Sequence, residues 1–283
     1  MVILLLLALY PLRGEGSGEA GMSLDTLLSR ADRAARKARY ELRTEAQMRE
    51  ALQLYLGVLE RDPDNRRALS RLSLGYFTLA EAYISGKKKK KSAYSTGYKY
   101  GLSCLKTNED FAEAYEQKGF AALKKIPQSV DNVEALFWTG ANLGRKDETE
   151  GVMKTLNDLP ALIALNRRVI KLDESYLGGG AHRALASIAS ELLSRLPWTF
   201  LQVNNNNFSW SGAREHFERA IELAPNCLEN YFSYAKYYAL KRGEKKLARE
   251  LLNRVIESQL GDDYPLINAV AKEKARSLKD EKL

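Results

Sequence analysis

One pattern of small and large apolar positions occurs twice in the chain with the same spacing. Alanine, an aromatic residue, a small apolar residue and proline follow one another at intervals of 4, 3 and 5 residues. The two stretches are Ala51, Tyr55, Val58 and Pro63, and Ala213, Phe217, Ala220 and Pro225. Intervals of three and four residues place side chains on one helix face, and a proline ends a helix. Each stretch is therefore predicted to be an amphipathic helix that stops near its proline.

The residues after each proline continue in the phase of a second helix. They are Leu69, Leu72 and Tyr76 after Pro63, and Tyr231, Tyr234, Ala235 and Tyr238 after Pro225. Weaker matches in the middle of the chain are Tyr115, Gly119, Leu136, Gly140, Asn166 and Val169. Helix pairs with this pattern, about 34 residues long, are typical of tetratricopeptide repeats (TPRs). The sequence therefore predicts an all-α fold, a TPR-like helical repeat (α-solenoid) with stacked antiparallel helix pairs.

Composition favours helices over strands. The 283 residues include 44 Leu and 33 Ala, but only 27 residues of Val, Ile and Thr together. Because strands favour β-branched residues and helices favour Leu and Ala, the composition argues against an all-β architecture. Hydrophobic residues make up 45% of the chain and charged residues 28%, which is typical of a globular protein.

The first 21 residues differ from the rest of the chain. An apolar run, Met1–Leu9, precedes a polar stretch rich in small residues, Pro11–Gly21. The run is too short to span a bilayer, which needs about 20 residues, and it resembles the apolar region of a secretory signal. The alternative is a buried N-terminal helix, because no basic residue precedes Val2. We expect a leader-like segment at 1–21, export of the protein, and a single TPR-like domain over 22–283.

Three segments interrupt the helical pattern. Ser85–Ser92 carries five consecutive lysines and is expected to be a solvated loop. Leu177–Ala181, with three glycines, is expected to be a flexible joint before a helix that begins near His182. Pro197–Gly212 is expected to be the longest non-helical stretch, and Lys272–Leu283 is expected to fray after its first turns.

Enzyme and nucleic-acid signatures are absent from the sequence. The chain lacks the nucleophile elbow, the H-E-x-x-H zinc motif, the Walker A loop and the dinucleotide fingerprint. Its two cysteines, Cys104 and Cys227, are expected to be buried thiols, and with two unpaired histidines they do not make a zinc site. Acidic residues are interleaved with basic ones despite the net charge of +8, unlike a nucleic-acid groove. We expect no catalysis, no cofactor, no metal and no nucleic-acid partner.

Aromatic residues provide candidate binding positions. With 3.6 residues per turn, Tyr234 and Tyr238 share a helix face from which Tyr237 is displaced. These rings either line a groove or pore, or pack in the core, and core packing is the favoured interpretation. Of Phe137 and Trp138, one ring is expected to face the helix stack while the other reaches a cavity.

His182 and Arg183 open the helix that follows the three glycines. At this position His182 either binds an acidic group or gates a pocket, or packs with its ring hydrogen-bonded, and packing is favoured. His216 lies between Ala213 and Phe217 on a polar helix flank and is expected to face solvent.

An ordered series of motifs resembles a known family. The segments are Ala135–Arg145 (ALFWTGANLGR), Gly179–Ala184 (GGAHRA), Ala213–Pro225 (AREHFERAIELAP), Asn230–Ala239 (NYFSYAKYYA), Leu247–Ile256 (LARELLNRVI) and Tyr264–Leu278 (YPLINAVAKEKARSL). Over about Met22 to Leu278 the chain is similar to the T component of TRAP transporters, most clearly in its last 70 or so residues.

The resemblance implies an all-α, TPR-like periplasmic protein that forms a homotrimer and associates with the transporter's substrate-binding P subunit. It also implies a channel through each protomer that passes a small organic or hydrophobic ligand. Residues carried over as candidates near the channel or in its supporting shell are Phe137, Trp138, His182, Arg183, Tyr234, Tyr238 and Asn268.

The sequence departs from the family in two respects. Members commonly carry a lipobox cysteine after the signal, whereas no cysteine precedes Cys104, which argues against a lipid anchor. The link before the A-x3-F helix is longer here and contains NNNNFSW, which is expected to alter the partner surface. The leading hypothesis is a non-enzymatic accessory of a TRAP-type solute uptake system, and the alternative is a generic exported TPR scaffold for protein–protein interaction.

Overall fold

The computed structural model describes residues 21–40, 45–196 and 208–283. Within these ranges the regular structure is helical and contains no strand, which confirms the predicted all-α class. Most of the leader-like segment, and residues 197–207 of the expected non-helical stretch, lie outside the described residues.

Twelve helices are numbered here in chain order over the described residues. They are α1 Leu24–Tyr40, α2 Glu45–Arg61, α3 Arg66–Thr78, α4 Lys87–Lys106, α5 Glu109–Lys118, α6 Val133–Glu150, α7 Val152–Leu172, α8 Tyr176–Arg195, α9 Trp210–Leu223, α10 Leu228–Ser233, α11 Lys245–Glu257 and α12 Pro265–Lys282. Two π-helical segments extend them: Leu79–Tyr83 follows α3, and Tyr234–Ala239 follows α10 and leads into a last turn, Leu240–Arg242. A 3₁₀ segment, Gly119–Lys124, follows α5.

Local sequence sets where several helices begin. The side chains of Asn65, Asn108 and Asn132 each accept a hydrogen bond from the backbone N–H three residues further on, at 2.9 to 3.0 Å. Such a cap satisfies one of the free donors at a helix start and stabilises the helix by about 1 kcal/mol.

The two stretches with the repeated apolar spacing form α2 and α9. Their patterned residues are all buried, namely Ala51, Tyr55, Val58, Ala213, Phe217 and Ala220. The spacing therefore identified the faces that these two helices turn toward their neighbours.

Helices adjacent in sequence form hairpins that pack side by side. Contacts join α1 to α2, α3 to α4, α6 to α7 and α8 to α9. Between these hairpins, α2 packs against α3, α4 against α6, and α7 against α8. The last helix, α12, packs against α10 and α11 and also contacts α1 and Leu79–Tyr83. The last helix therefore meets the first described helix, and helices from both halves of the described chain line a cavity.

The predicted glycine joint is a buried kink inside α8, and α8 already begins at Tyr176, before the expected helix start near His182. Leu177, Gly178 and Gly179 have left-handed backbone angles, with φ of +51°, +64° and +71°. A Cβ atom at Gly179 would lie 2.8 Å from Cα of Ala220 on α9. Glycine is required here both for the backbone angle and for the close approach of the two helices.

The lysine-rich segment Ser85–Ser92 is not a loop, so that prediction is wrong. Lys87 begins α4, and the five lysines form its first turns with mostly exposed side chains. Lysine has a favourable helix propensity, and Gly86, with φ of +88°, allows the sharp change of direction before the helix. The expected non-helical stretch also ends earlier than Gly212, because Trp210 already begins α9.

The expected fraying of Lys272–Leu283 is also wrong. α12 continues to Lys282, and its residue Ala275 is fully buried. Near its end, Lys279 Nζ donates to Asn253 Oδ1 on α11 at 2.7 Å. Contacts with α11 thus hold a segment whose charge alone suggested a loose end. None of the described helices is both long and apolar enough to cross a bilayer.

The kink gives a test of close helix packing. Gly179→Ala is expected to lower the free energy of unfolding by about 3 kcal/mol, because it adds a clash to the backbone strain. Gly243→Ala is the matched control, since Gly243 has φ of +75° but nothing within 4 Å of its Cβ position. It is expected to cost only about 1 kcal/mol, from strain alone. Urea unfolding measures the free energy of unfolding of both variants. An equal decrease in the two would contradict the close approach of α8 to α9 at Gly179.

Candidate functional site

A cavity of about 910 Å³ lies between the helices. Its walls come from α1, α2, α3, α6, α7, α8, α10 and α12. Ligand pockets for small organic molecules measure about 300–1,000 Å³, so the space suits a ligand of that kind. Because both ends of the chain supply walls, the cavity depends on the closure of the last helix onto the first.

Four aromatic rings form one wall of the cavity. They are Phe77, Phe137, Trp138 and Tyr176. Ring centroids lie 5.1 Å apart for Phe77 and Trp138, and 5.4 Å apart for Phe137 and Tyr176. Trp138 Nε1 donates to the Tyr176 hydroxyl at 3.1 Å, which gives the buried indole N–H its hydrogen-bond partner. A Cβ atom at Gly180 would lie 2.8 Å from the Phe137 ring, so a glycine makes room for it.

A charged network forms another wall and centres on Glu81. The Glu81 carboxylate, 15% exposed, lies 3.1 Å from Arg145 Nε and pairs with Lys274 Nζ. It also accepts a hydrogen bond from the Tyr94 hydroxyl at 2.6 Å. Glu81 belongs to the segment after α3, Arg145 to α6 and Lys274 to α12. One carboxylate therefore joins three parts of the chain that are distant in sequence.

Arg145 extends the network to the second π-helical segment. Its Nη1 lies 2.8 Å from a Glu148 carboxylate oxygen and donates to the Tyr237 hydroxyl at 2.8 Å. Glu81 and Tyr237 each lie in a π-helical segment, where the wider turn changes the direction of the side chains. Both irregular segments therefore bring polar groups to the same guanidinium.

The charges of this network remain ionised across the neutral range. Burial raises the pKa of the Glu81 carboxyl, but the charges of Arg145 and Lys274 outweigh burial and hold that pKa well below its usual range. Burial lowers the pKa of Arg145, but Glu81 and then Tyr237 outweigh it and hold that pKa well above its usual value. The pair is thus a fixed ion pair at neutral pH.

Three of the residues that the sequence suggested line the cavity. Phe137 and Trp138 belong to the aromatic wall, and Arg183 on α8 reaches the cavity from the turn after the glycine kink. Both rings of the Phe137 and Trp138 pair reach the cavity, where one was expected.

His182 lies beside the cavity-lining residues but is not among them. Its Nδ1 is 2.6 Å from Nδ1 of His216, and its Nε2 is 2.9 Å from a Glu174 carboxylate oxygen. Arg219 pairs with the same carboxylate at 2.8 Å. His216 is therefore half-buried and paired, so its expected solvent-facing position is wrong. Burial lowers the pKa of His216, and neighbouring His182 lowers it further.

Tyr234 and Tyr238 pack in the core formed by α9 and α10, outside the cavity lining. The Tyr234 ring stacks on Phe217 with centroids 5.0 Å apart, and Tyr238 meets Trp210 at 5.6 Å. Tyr237, displaced from their face, is the tyrosine of this group that lines the cavity.

Asn268 supports the start of α10. Its Oδ1 accepts the backbone N–H of Leu228 at 2.8 Å, and its Nδ2 donates to the carbonyl of Asn226 at 3.0 Å. The residue is 1% exposed and ties α12 to the turn before α10.

Sequence reasoning missed the charged network. Glu81 had a visible signal, because it is an isolated acid inside the apolar stretch Phe77–Ile84. Arg145 and Lys274 had none, since each lies among other charged residues that are common on solvated helix faces.

The cysteines and metal-ligand residues of the described chain show no reactive arrangement. Both cysteines are buried and unbridged, as expected, and burial raises the pKa of the Cys104 thiol to about 12. Within the described residues, no group of three or more His, Cys, Asp or Glu side chains is arranged to hold a metal ion.

The described residues define an all-helical protein with a lined internal cavity. The model of the protein family described as TRAP transporter T-component matches residues 43–283, and the chain belongs to that family. This confirms the resemblance recognised in the sequence motifs. Membership indicates an accessory role in TRAP transport, and the family is not a known enzyme family. No curated protein matches the chain.

The Glu81 network gives a pH-dependent test. Glu81→Gln is expected to lower the free energy of unfolding at pH 7 by about 3 kcal/mol, because it leaves Arg145 and Lys274 without their shared carboxylate. Since the folded pKa of Glu81 is depressed, its contribution is present above the ordinary carboxyl pKa of 4.5. The difference between the two proteins should narrow as the pH falls below that value.

An exposed carboxylate provides the control for this test. Glu45 pairs with Arg49 one turn away at the surface, with a side chain 43% exposed. Glu45→Gln is expected to cost less than about 0.5 kcal/mol at any pH. Thermal unfolding followed by circular dichroism measures the stability of both variants. An equal decrease in stability would contradict the role of Glu81 in joining Arg145 to Lys274.

Proposed function

We propose that this protein is a non-enzymatic, periplasmic accessory of a TRAP-type solute uptake system. In this proposal it binds the substrate-binding P subunit and holds a small organic ligand in its central cavity. The observation that carries the ligand part is the cavity of about 910 Å³ with an aromatic wall and a charged wall. Family membership supports the transporter part.

The cavity has the composition of a ligand site rather than of a packing defect. Phe77, Phe137 and Trp138 offer apolar surface, while Arg145 and Arg183 offer charge at the same space. Packing defects in protein cores are small and apolar, whereas ligand sites combine apolar walls with a few placed polar groups.

The hairpin packing supports a TPR-like repeat as the architecture that presents the P-subunit surface. In such a repeat each helix pair contacts its neighbours, which leaves an extended surface for a partner. The contacts from α2 to α3, from α4 to α6 and from α7 to α8 follow this order. We further propose export directed by the 1–21 segment, and a homotrimer, as the family resemblance implies.

Association with the P subunit is tested by mixing the two purified proteins of one transport system. Isothermal titration is expected to give a complex at micromolar concentrations. An unrelated periplasmic substrate-binding protein, which should not bind, is the control. No complex at tens of micromolar would contradict the transporter role. Light scattering of the chain alone tests the homotrimer, and a monomer mass would contradict it.

Filling the cavity tests the ligand role. Ala141 on α6 lines the cavity, so Ala141→Trp is expected to occupy part of it without breaking a hydrogen bond. The variant should lose at least tenfold in affinity for a neutral fluorescent probe, N-phenyl-1-naphthylamine, while its unfolding temperature stays within a few degrees. Ala121→Trp is the control, because Ala121 is exposed and lies outside the lining. Probe binding that is absent in the unmodified protein, or equal in both variants, would contradict a cavity ligand and favour a plain protein scaffold.

A further inference from the structure

Arg183 differs from the other arginines that line the cavity. Four of these are paired with carboxylates at 4 Å or less, namely Arg67, Arg71, Arg145 and Arg195. Arg36, also in the lining, is exposed and therefore solvated. Arg183 is only 9% exposed, yet it makes no ion pair with any carboxylate of the residues that the structure describes.

The Arg183 guanidinium contacts two neutral side chains, Asn230 and, at 3.9 Å, the Cys227 thiol. Its Nη1 donates to Oδ1 of Asn230, a residue with no exposed surface. The orientation of that amide is fixed, because its Nδ2 donates to the carbonyls of Gly178 at 3.0 Å and Ala220 at 2.8 Å. Asn230 thus anchors one corner of the guanidinium, but it brings no negative charge.

Such an arrangement leaves the buried Arg183 guanidinium without a carboxylate partner within 4 Å among the described residues. Burying an unpaired ion costs several kcal/mol unless a counter-charge or water meets it. A carboxylate supplied from the cavity would make charge-assisted hydrogen bonds to the guanidinium nitrogens that Asn230 does not use. Two acids of the lining, Glu229 and Asp263, lie more than 4 Å from Arg183, and Glu229 accepts a hydrogen bond from Ser233 at 3.0 Å.

An aromatic wall lines the same cavity as Arg183. A Cβ atom at Gly180, one turn before Arg183 on α8, would lie 2.8 Å from the edge of the Phe137 ring, so the ring packs closely against this turn. The Phe137 ring meets Trp138 with centroids 4.8 Å apart, and both rings line the cavity. Arg183 therefore lies one helical turn from the residue against which Phe137 packs, and the cation and the aromatic wall line the same cavity.

We propose that Arg183 binds the carboxylate of an organic acid whose apolar body lies against Phe137 and Trp138. The proposal rests on the proposed function of the cavity and names the class of its ligand, a monocarboxylate with an apolar body. Asn230 is then a positioning residue that presents the guanidinium to the ligand.

The test compares a carboxylate with its neutral counterpart. Octanoate and octanamide differ in charge but not in apolar body, and each is titrated against bound N-phenyl-1-naphthylamine at pH 7. The unmodified protein should bind octanoate at least tenfold more tightly than octanamide, because a charge-assisted hydrogen bond is added. Arg183→Gln should weaken octanoate binding roughly 10- to 100-fold and leave octanamide and the probe within twofold.

Two further variants separate the local charge from other effects. Arg183→Lys keeps the charge and should retain a preference for octanoate, reduced by the loss of the bidentate geometry. Arg66→Gln removes an equal charge from an exposed pair with Asp131 outside the cavity lining, and it should change neither affinity.

The outcomes distinguish the proposal from the function on which it rests. If the probe binds but octanoate and octanamide compete equally in the unmodified protein, the Arg183 proposal is overturned while the cavity function stands. If the Arg183→Gln variant folds but loses affinity for octanoate and octanamide by the same factor, the Arg183 proposal is overturned as well. If neither the probe nor either competitor binds the unmodified protein, the Arg183 proposal and the proposed cavity function are both overturned. Because the first comparison needs no variant, the proposal stays testable even if Arg183→Gln does not fold.

Discussion

The closure of this fold depends on one carboxylate. Glu81 lies on a π-helical segment in the first third of the chain, and it meets Arg145 from the middle and Lys274 from the last helix. The ion pair with Lys274 spans 193 residues of sequence. Since the helix that carries Lys274 also supplies part of the cavity wall, the same contact that closes the chain completes the site. Glu81 therefore links the stability of the fold to the shape of the cavity.

Much of the helical framework could be predicted because its causes are local. The alanine and aromatic spacing of α2 and α9 reflects burial of one helix face, and it appears in the sequence as periodicity. The glycine joint was also visible, since Gly178 and Gly179 take backbone angles that other residues avoid. Predictions from local sequence were wrong where contacts with other helices determine the secondary structure. Charge suggested a loop at Lys87–Lys91 and a loose end at Lys272–Leu283, but the lysines continue a helix and the C-terminal helix packs against α11.

The candidate site was predictable only in part, for the same reason. Aromatic pairs and an arginine beside a histidine stand out in a sequence, and Phe137, Trp138 and Arg183 do line the cavity. A regular helical period could not predict that Tyr237, rather than Tyr234 or Tyr238, lines the cavity. The π-helical turn shifts the register of this segment and brings the Tyr237 hydroxyl to Arg145. The spacing of residues along the sequence does not predict an ion pair between groups as distant as Glu81 and Lys274.

In the proposal above, the helices between the first and the last hold an organic acid in the cavity. A crystal structure of the protein grown with octanoate tests this proposal most directly. The carboxylate is expected within hydrogen-bond distance of the Arg183 guanidinium, with the alkyl chain against Phe137 and Trp138. Octanoate bound with its carboxylate away from Arg183, or a cavity that takes up no octanoate at saturating concentration, would contradict the claim.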